Sequence, residues 1–216
     1  MSYPRCGTPA DVAFVLALDV ERRDGRWKIA QTHLQTGYAQ FAQVWVPGAA
    51  ALVTAKIAKK VVIVGGYEAR YGGEKIARPD VLRELVLAEY DIPQSIDSAI
   101  SRPNTSGNAE AIRFWMDEHG RWADRTIAAC CFWHVPRAAL SLEAQGQRMP
   151  IVPIEAAWLA GAPDASLRAS RRDHLAAVFG GNDVGERIAG ECNGIADALR
   201  GDYVPLSERA QAVAAE

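Results

Sequence analysis

The chain is short of several things, and each shortage closes a line of explanation. Among 216 residues there are 4 cysteines (Cys6, Cys130, Cys131 and Cys192) and no CxxC pair. A disulfide framework needs a denser set in a shorter chain, and a zinc centre needs ligands that converge on one point. Cys130 and Cys131 are neighbours in an apolar run. As strand residues they face opposite sides, and they read as buried thiols of a reducing compartment. One-sided charge is missing as well: 24 Lys and Arg against 26 Asp and Glu leave a formal charge of −2. A general nucleic-acid partner is thereby set aside, because phosphate binding needs a basic face. No apolar run approaches the roughly 20 residues that span a bilayer. The stretch Val44–Ala58 is broken by Pro47-Gly48 and by Lys56. The N-terminal MSYPRCGTPAD has no apolar core of a signal peptide. A cytoplasmic, soluble protein without a membrane partner is therefore expected. GxGxxG, the Walker GK[ST], GxSxG and HExxH are all absent, which argues against a dinucleotide oxidoreductase, a P-loop enzyme, a nucleophile-elbow hydrolase and a zinc protease.

What is present is an ordinary globular composition, 49% hydrophobic and 23% charged. Val12–Leu18 is a continuous apolar run that suits a buried parallel strand and ends in Asp19. Val20–Trp27 is charged and centred on the turn dipeptide Asp24-Gly25. Lys28–Thr36 reads either as a strand paired across that turn or as the start of a helix. Pro47–Lys60 has helical spacing, with Pro suited to the first turn and Lys to the last. Val61–Val64 follows as a strand, then Gly65-Gly66 and a polar loop. Pro79–Tyr90 reads as an amphipathic helix through Val81, Leu82, Leu85 and Ala88. A short strand falls within Ile92–Ile100, a helix over Asn108–His119, a buried strand over Arg125–Trp133 and a helix over His134–Gln145. Met149–Ile154 is a weak strand whose prolines push it to a sheet edge. Strand–helix alternation predicts an α/β fold: a Rossmann-like open parallel sheet with flanking helices, over residues 1–155. Residues 156–216 read as a C-terminal helical extension packed on the same domain, through Ala165–Phe179, Val184–Leu199 and Ser207–Ala215.

Ligands of open parallel sheets bind outside the carboxyl ends of the strands. Four polar clusters directly follow predicted strands. Asp19-Val20-Glu21 offers a carboxylate for acid–base work or for holding a ribose or cation, or simply caps a turn. The segment from Gly65 and Gly66 through Glu68, Arg70 and Glu74 to Arg78 can bring backbone amides and arginines to an anion, or can be a plain surface loop. Ser101–Asn108, with Asn104, Thr105 and Asn108, places hydroxyls and amides at a helix N-terminus, where an anion is favoured. N-capping by Thr105 or Ser106 is the plainer account there. Finally His134 stands one helical turn before Arg137: an imidazole that titrates near neutrality beside a guanidinium that can fork onto an anion. A structural histidine is the alternative. His33, His119, His174 and the six Trp read as structural, and the Arg168-Arg171-Arg172 face as solvated.

The order of these motifs resembles the ElyC/SanA/YdcF family of bacterial α/β proteins. In that family a strand ends in Ser-Gly-Gly, then come an acidic residue and a helix, then Ser-x-x-Thr-x-x-Asn, then a strand running into Tyr-His-x-x-Arg-Ala. The matching residues are Gly65-Gly66, Thr105 with Asn108, and His134 with Arg137-Ala138. Val64 replaces the family's Ser, Trp133 its Tyr, and Glu68 or Glu74 would be the acidic residue. The stretch Glu21–Trp45 looks like an insertion before the first helix. The resemblance implies a Rossmann-like fold and, for a soluble branch like this chain, S-adenosylmethionine as a ligand.

Together these features favour a small-molecule enzyme, by group transfer or hydrolysis, acting on an anionic or nucleotide-like ligand. His134 would be the general acid/base, with Asp19 or Glu68 as its acidic counterpart. Gly65, Gly66, Arg70, Glu74, Arg78, Asn104, Thr105, Asn108 and Arg137 would bind the ligand; no metal is expected. The rivals are a ligand-binding protein without turnover and a partner protein docking through its helical tail. A homo-oligomer is left open.

Overall fold

In a computed structural model the described residues are 9–30, 36–71, 74–102, 104–120, 125–164, 166–171 and 174. Five parallel strands form the central sheet: β1 (Ala10–Leu16), β4 (Ala58–Gly65), β7 (Ile96–Ile100), β8 (Thr126–Cys130) and β9 (Ile151–Pro153). Their spatial order is β7-β4-β1-β8-β9. The chain starts in the middle, moves outward through β4 to β7, then crosses to the other side for β8 and β9. The strand order therefore reverses between β1 and β8, which is where a Rossmann-like sheet opens a crevice. The predicted fold class is the observed one. β9 lies at the edge, where its Pro153 leaves no central ladder short of a donor.

The two sheet faces are covered by different helices. Val15, Ile63, Ile127 and Cys131 point to one face, under α1 (Thr36–Thr54), α2 (Arg78–Glu89) and α5 (Ile154–Ala160). Phe14, Val62, Ala128 and Cys130 point to the other, under α3 (Thr105–His119) and α4 (Val135–Ala144). The period-two alternation of a pleated strand sends the adjacent thiols to opposite cores, as the sequence implied. Three strands in the middle carry an almost unbroken run of buried Val, Ile, Ala and Phe, because helices cover both sides.

Several local expectations need correction. The first helix does not begin at Pro47. α1 starts at Thr36 and carries Pro47 inside it. Proline removes a backbone donor in mid-helix, but Val44, Trp45, Val46, Ala49, Ala50 and Leu52 are all buried around it. That packing outweighs the lost hydrogen bond. Nor does this helix reach Lys60, since Ala58, Lys59 and Lys60 belong to β4, whose Ala58 and Lys60 pair with Ala10 and Val12. The supposed insertion resolves into the antiparallel hairpin β2 (Val20–Arg23) and β3 (Arg26–Ile29), turning on Asp24 and Gly25 at φ 54° and 73°, followed by the start of α1. Positive φ at both central residues suits the twist of a tight hairpin. The polar loop after Gly66 is also a hairpin, β5 (Tyr67–Tyr71) with β6 (Glu74–Ala77), pairing Tyr67 with Ala77 and Glu68 with Ile76.

The boundary drawn at residue 155 falls inside α5. That helix packs on α1, with Ile154 and Ala157 in the α1 core cluster. Residues 166–171 are helical. Gly180-Gly181 and the helices expected over Val184–Leu199 and Ser207–Ala215 lie outside the described residues. No helix among the described residues is long and apolar enough to cross a membrane.

Candidate functional site

Every described part of the predicted site lies at the carboxyl edge of the sheet, in two groups. The first stands beyond β1 and β4. Gly65 and Gly66 end β4, and Gly65 has to be glycine: a Cβ there would lie 2.5 Å from the Ala17 Cβ. Arg78, the first residue of α2, reaches back across this end. Its Nε donates to the Gly66 carbonyl at 3.3 Å, and its Nη1 forms an ion pair with the Asp19 carboxylate. Two predicted site residues, a base and an anion binder, are thus bound to each other. Glu68 and Arg70 lie on β5 and Glu74 on β6; their side chains are outside the described part of the structure.

The second group stands beyond β7 and β8. α3 begins at Thr105 rather than at Asn108, and its cap is Asn104 rather than Thr105 or Ser106. The Asn104 Oδ1 accepts the Gly107 N–H at 2.6 Å. An extended Asn whose side chain takes an orphan N–H is the favoured N-cap chemistry, so this side chain has a structural task. Thr105 is thereby released for another one. It is buried, and its Oγ1 lies 3.0 Å from Nε2 of His134. Asn108, also buried, holds the Ser101 hydroxyl, and the Ser101 N–H donates to the Gly65 carbonyl at 2.8 Å. Ser101 therefore ties the two groups together.

His134 does not end a strand. β8 stops at Cys130, and Phe132–His134 forms a tight turn whose last N–H closes on the Cys131 carbonyl at 2.8 Å. The run predicted as buried strand through Trp133 breaks here, leaving Phe132 54% exposed. α4 follows, and Arg137 lies one turn along it, with Nη2 3.3 Å from the same Nε2 of His134. A guanidinium only donates. As a hydrogen bond, this contact has the imidazole Nε2 as its acceptor, which corresponds to a ring carrying its proton on Nδ1. A contact of 3.3 Å is long for a hydrogen bond from a charged donor, which commonly falls at about 2.7–2.9 Å.

One residue at this edge was missed. Glu155, at the start of α5 and just beyond β9, is 4% exposed, and both of its oxygens accept the Phe132 N–H, at 3.1 and 3.0 Å. Burial pushes its pKa up to about 7, against the opposing pull of backbone N–H groups. The signal was in the sequence: an acidic residue directly after a strand, by the rule used for the other clusters. The weakness of β9 as a predicted strand hid it.

Among the described residues, no group of three or more His, Cys, Asp and Glu is placed to hold a metal ion. No family model, curated protein or solved structure matches the chain.

Proposed function

We propose that the protein is a small-molecule enzyme, a transferase or hydrolase, acting on an anionic or nucleotide-like ligand bound at the carboxyl edge of the sheet. One observation carries the reading: a buried threonine hydroxyl, an imidazole and a guanidinium meet at His134 Nε2, beside the N-terminus of α3 and the reversal of strand order. Each supplies a different function. Arg137 would turn from the neutral ring onto the ligand's negative charge, since an anion is the stronger acceptor. His134 would then have an unprotonated Nε2 to take a proton from water or from a ligand hydroxyl. The Thr105 hydroxyl, as the donor to that same Nε2, would hold the ring in this orientation. Phe132, exposed at the same edge, gives a planar base or ring a surface to lie on.

The resemblance to the ElyC/SanA/YdcF family supports the same residues, because Thr105, Asn108, His134 and Arg137 are the ones that carry it. It makes S-adenosylmethionine the first nucleotide-like ligand to try. A binding protein without turnover is the second reading, favoured by the same arrangement of donors. A thermal-shift screen with nucleotides, sugar phosphates and amino-acid derivatives tests both. A ligand at 100 times its Kd is expected to stabilise the fold by about 2.7 kcal/mol, and a flat response to every anion contradicts both. His134→Ala then separates them: lost turnover with kept affinity marks an enzyme, and equal loss of binding without turnover marks a binding protein.

A further inference from the structure

Glu155 is a carboxyl group in an apolar place. The helix beside it is α1, whose side chains from Val44 to Thr54 carry no charge. Its oxygens accept its own backbone N–H and, from across the edge strand, the Phe132 N–H. That amide opens the three-residue turn ending in His134. A neutral acceptor would satisfy such N–H groups without the penalty of burying an ionisable group. What distinguishes this amide is its position: two residues later comes the imidazole whose Nε2 meets Thr105 and Arg137. The ring is held at its tip from α3 and α4. The base of its turn is held from α5, across the edge strand.

We propose that Glu155 is a positioning residue for His134: by holding the Phe132 N–H it fixes the turn that presents Nε2 to Thr105 and Arg137. The inference rests on the reading of His134 as the site's imidazole. It also assigns α5, beyond the resemblance, to the site's construction.

The test reads the histidine tautomer directly, in two-bond 1H–15N spectra of the full chain labelled at histidine. Wild-type His134 is expected as the Nδ1–H tautomer with an accepting Nε2. His119 is the internal control of folding, since its ring stacks on Trp115 at 4.0 Å and its Nδ1 lies 2.9 Å from the Trp115 carbonyl. Glu155→Leu is expected to convert His134 to a mixed-tautomer signal while His119 stays in place. Glu155→Gln keeps an acceptor oxygen and is expected to restore the wild-type pattern. Where the leucine variant fails to fold, Phe132→Pro breaks the same hydrogen bond from the donor side. Phe132→Ala keeps the N–H and serves as its control. Proline is expected to shift His134 and alanine to leave it. An unchanged His134 signal in folded Glu155→Leu or Phe132→Pro overturns the assignment. So does a glutamine variant as disturbed as the leucine one. If His134 responds as expected while no anion binds the wild-type chain, the positioning role stands and the proposed function falls.

Discussion

The two halves of the carboxyl edge use the same kind of residue in different ways. Beyond β1 and β4, Arg78 meets a carboxylate, Asp19, and a backbone carbonyl, Gly66. Beyond β7 and β8, Arg137 meets a ring nitrogen of His134 at 3.3 Å. Arg78 closes the end of β4 against the end of β1, so an incoming anion would have to displace a carboxylate to use it. The contact of Arg137 to the imidazole is long, and an anion is the stronger acceptor for a guanidinium. Position after a strand does not distinguish a structural arginine from a binding one. The partner does.

The largest expected effect probes the His134 half. Glu155 has a folded pKa of about 7, raised from 4.5. The folded state thus holds a proton that the unfolded chain releases above about pH 4.5, and stability falls as pH rises from there to about 7. The full loss is about 3 kcal/mol. Denaturant titrations across this range are expected to show that slope in the wild type and a flatter one in Glu155→Gln; parallel slopes would remove the special standing of that half.

Next in size is a change in the Asp19 half. Gly65→Ala forces a methyl to within 2.5 Å of the Ala17 Cβ, and overpacking of this kind costs about 1–3 kcal/mol. Its unfolding midpoint should drop with little change in ligand affinity per folded molecule. Asn104→Ala removes the α3 cap, an expected loss of about 1 kcal/mol. It should also weaken anion binding, because Thr105 is the next residue. Smallest is Arg78→Ala. The side chain of Asp19 is 46% exposed, and exposed ion pairs contribute about 0–1 kcal/mol. A thermal melt within a few degrees of wild type is expected; a collapse would mean that this pair organises the edge.

Much of this layout was legible in the residues. The apolar run Val12–Leu18, the amphipathic pattern of Pro79–Tyr90 and the Asp24-Gly25 turn each state a local rule that the fold obeys. So do the paired thiols, sent to opposite faces. α1 was obscured because Pro47 is a strong local signal, and only burial of Trp45 and Leu52 overrides it. The hairpin β5–β6 was hidden by glycines and charges that also suit a loop. At the site, the grouping of Thr105, His134 and Arg137 depends on α3 and α4 meeting at one end, which no spacing reveals. The mutual capture of Asp19 and Arg78 spans β1 and α2 and is equally silent in sequence. Glu155 was passed over because its strand is three residues long and edge-bound.

The measurement that bears most directly on the contrast is a calorimetric titration with the best anion from the thermal-shift screen, run on wild type, Arg137→Ala and Arg78→Ala. A hydrogen bond to a charged partner contributes about 1.5–3 kcal/mol, so Arg137→Ala should weaken binding by about 10–100-fold, while Arg78→Ala binds like wild type. Equal affinities for Arg137→Ala and wild type, or a greater loss in Arg78→Ala, would contradict the assignment of the His134 half as the ligand site.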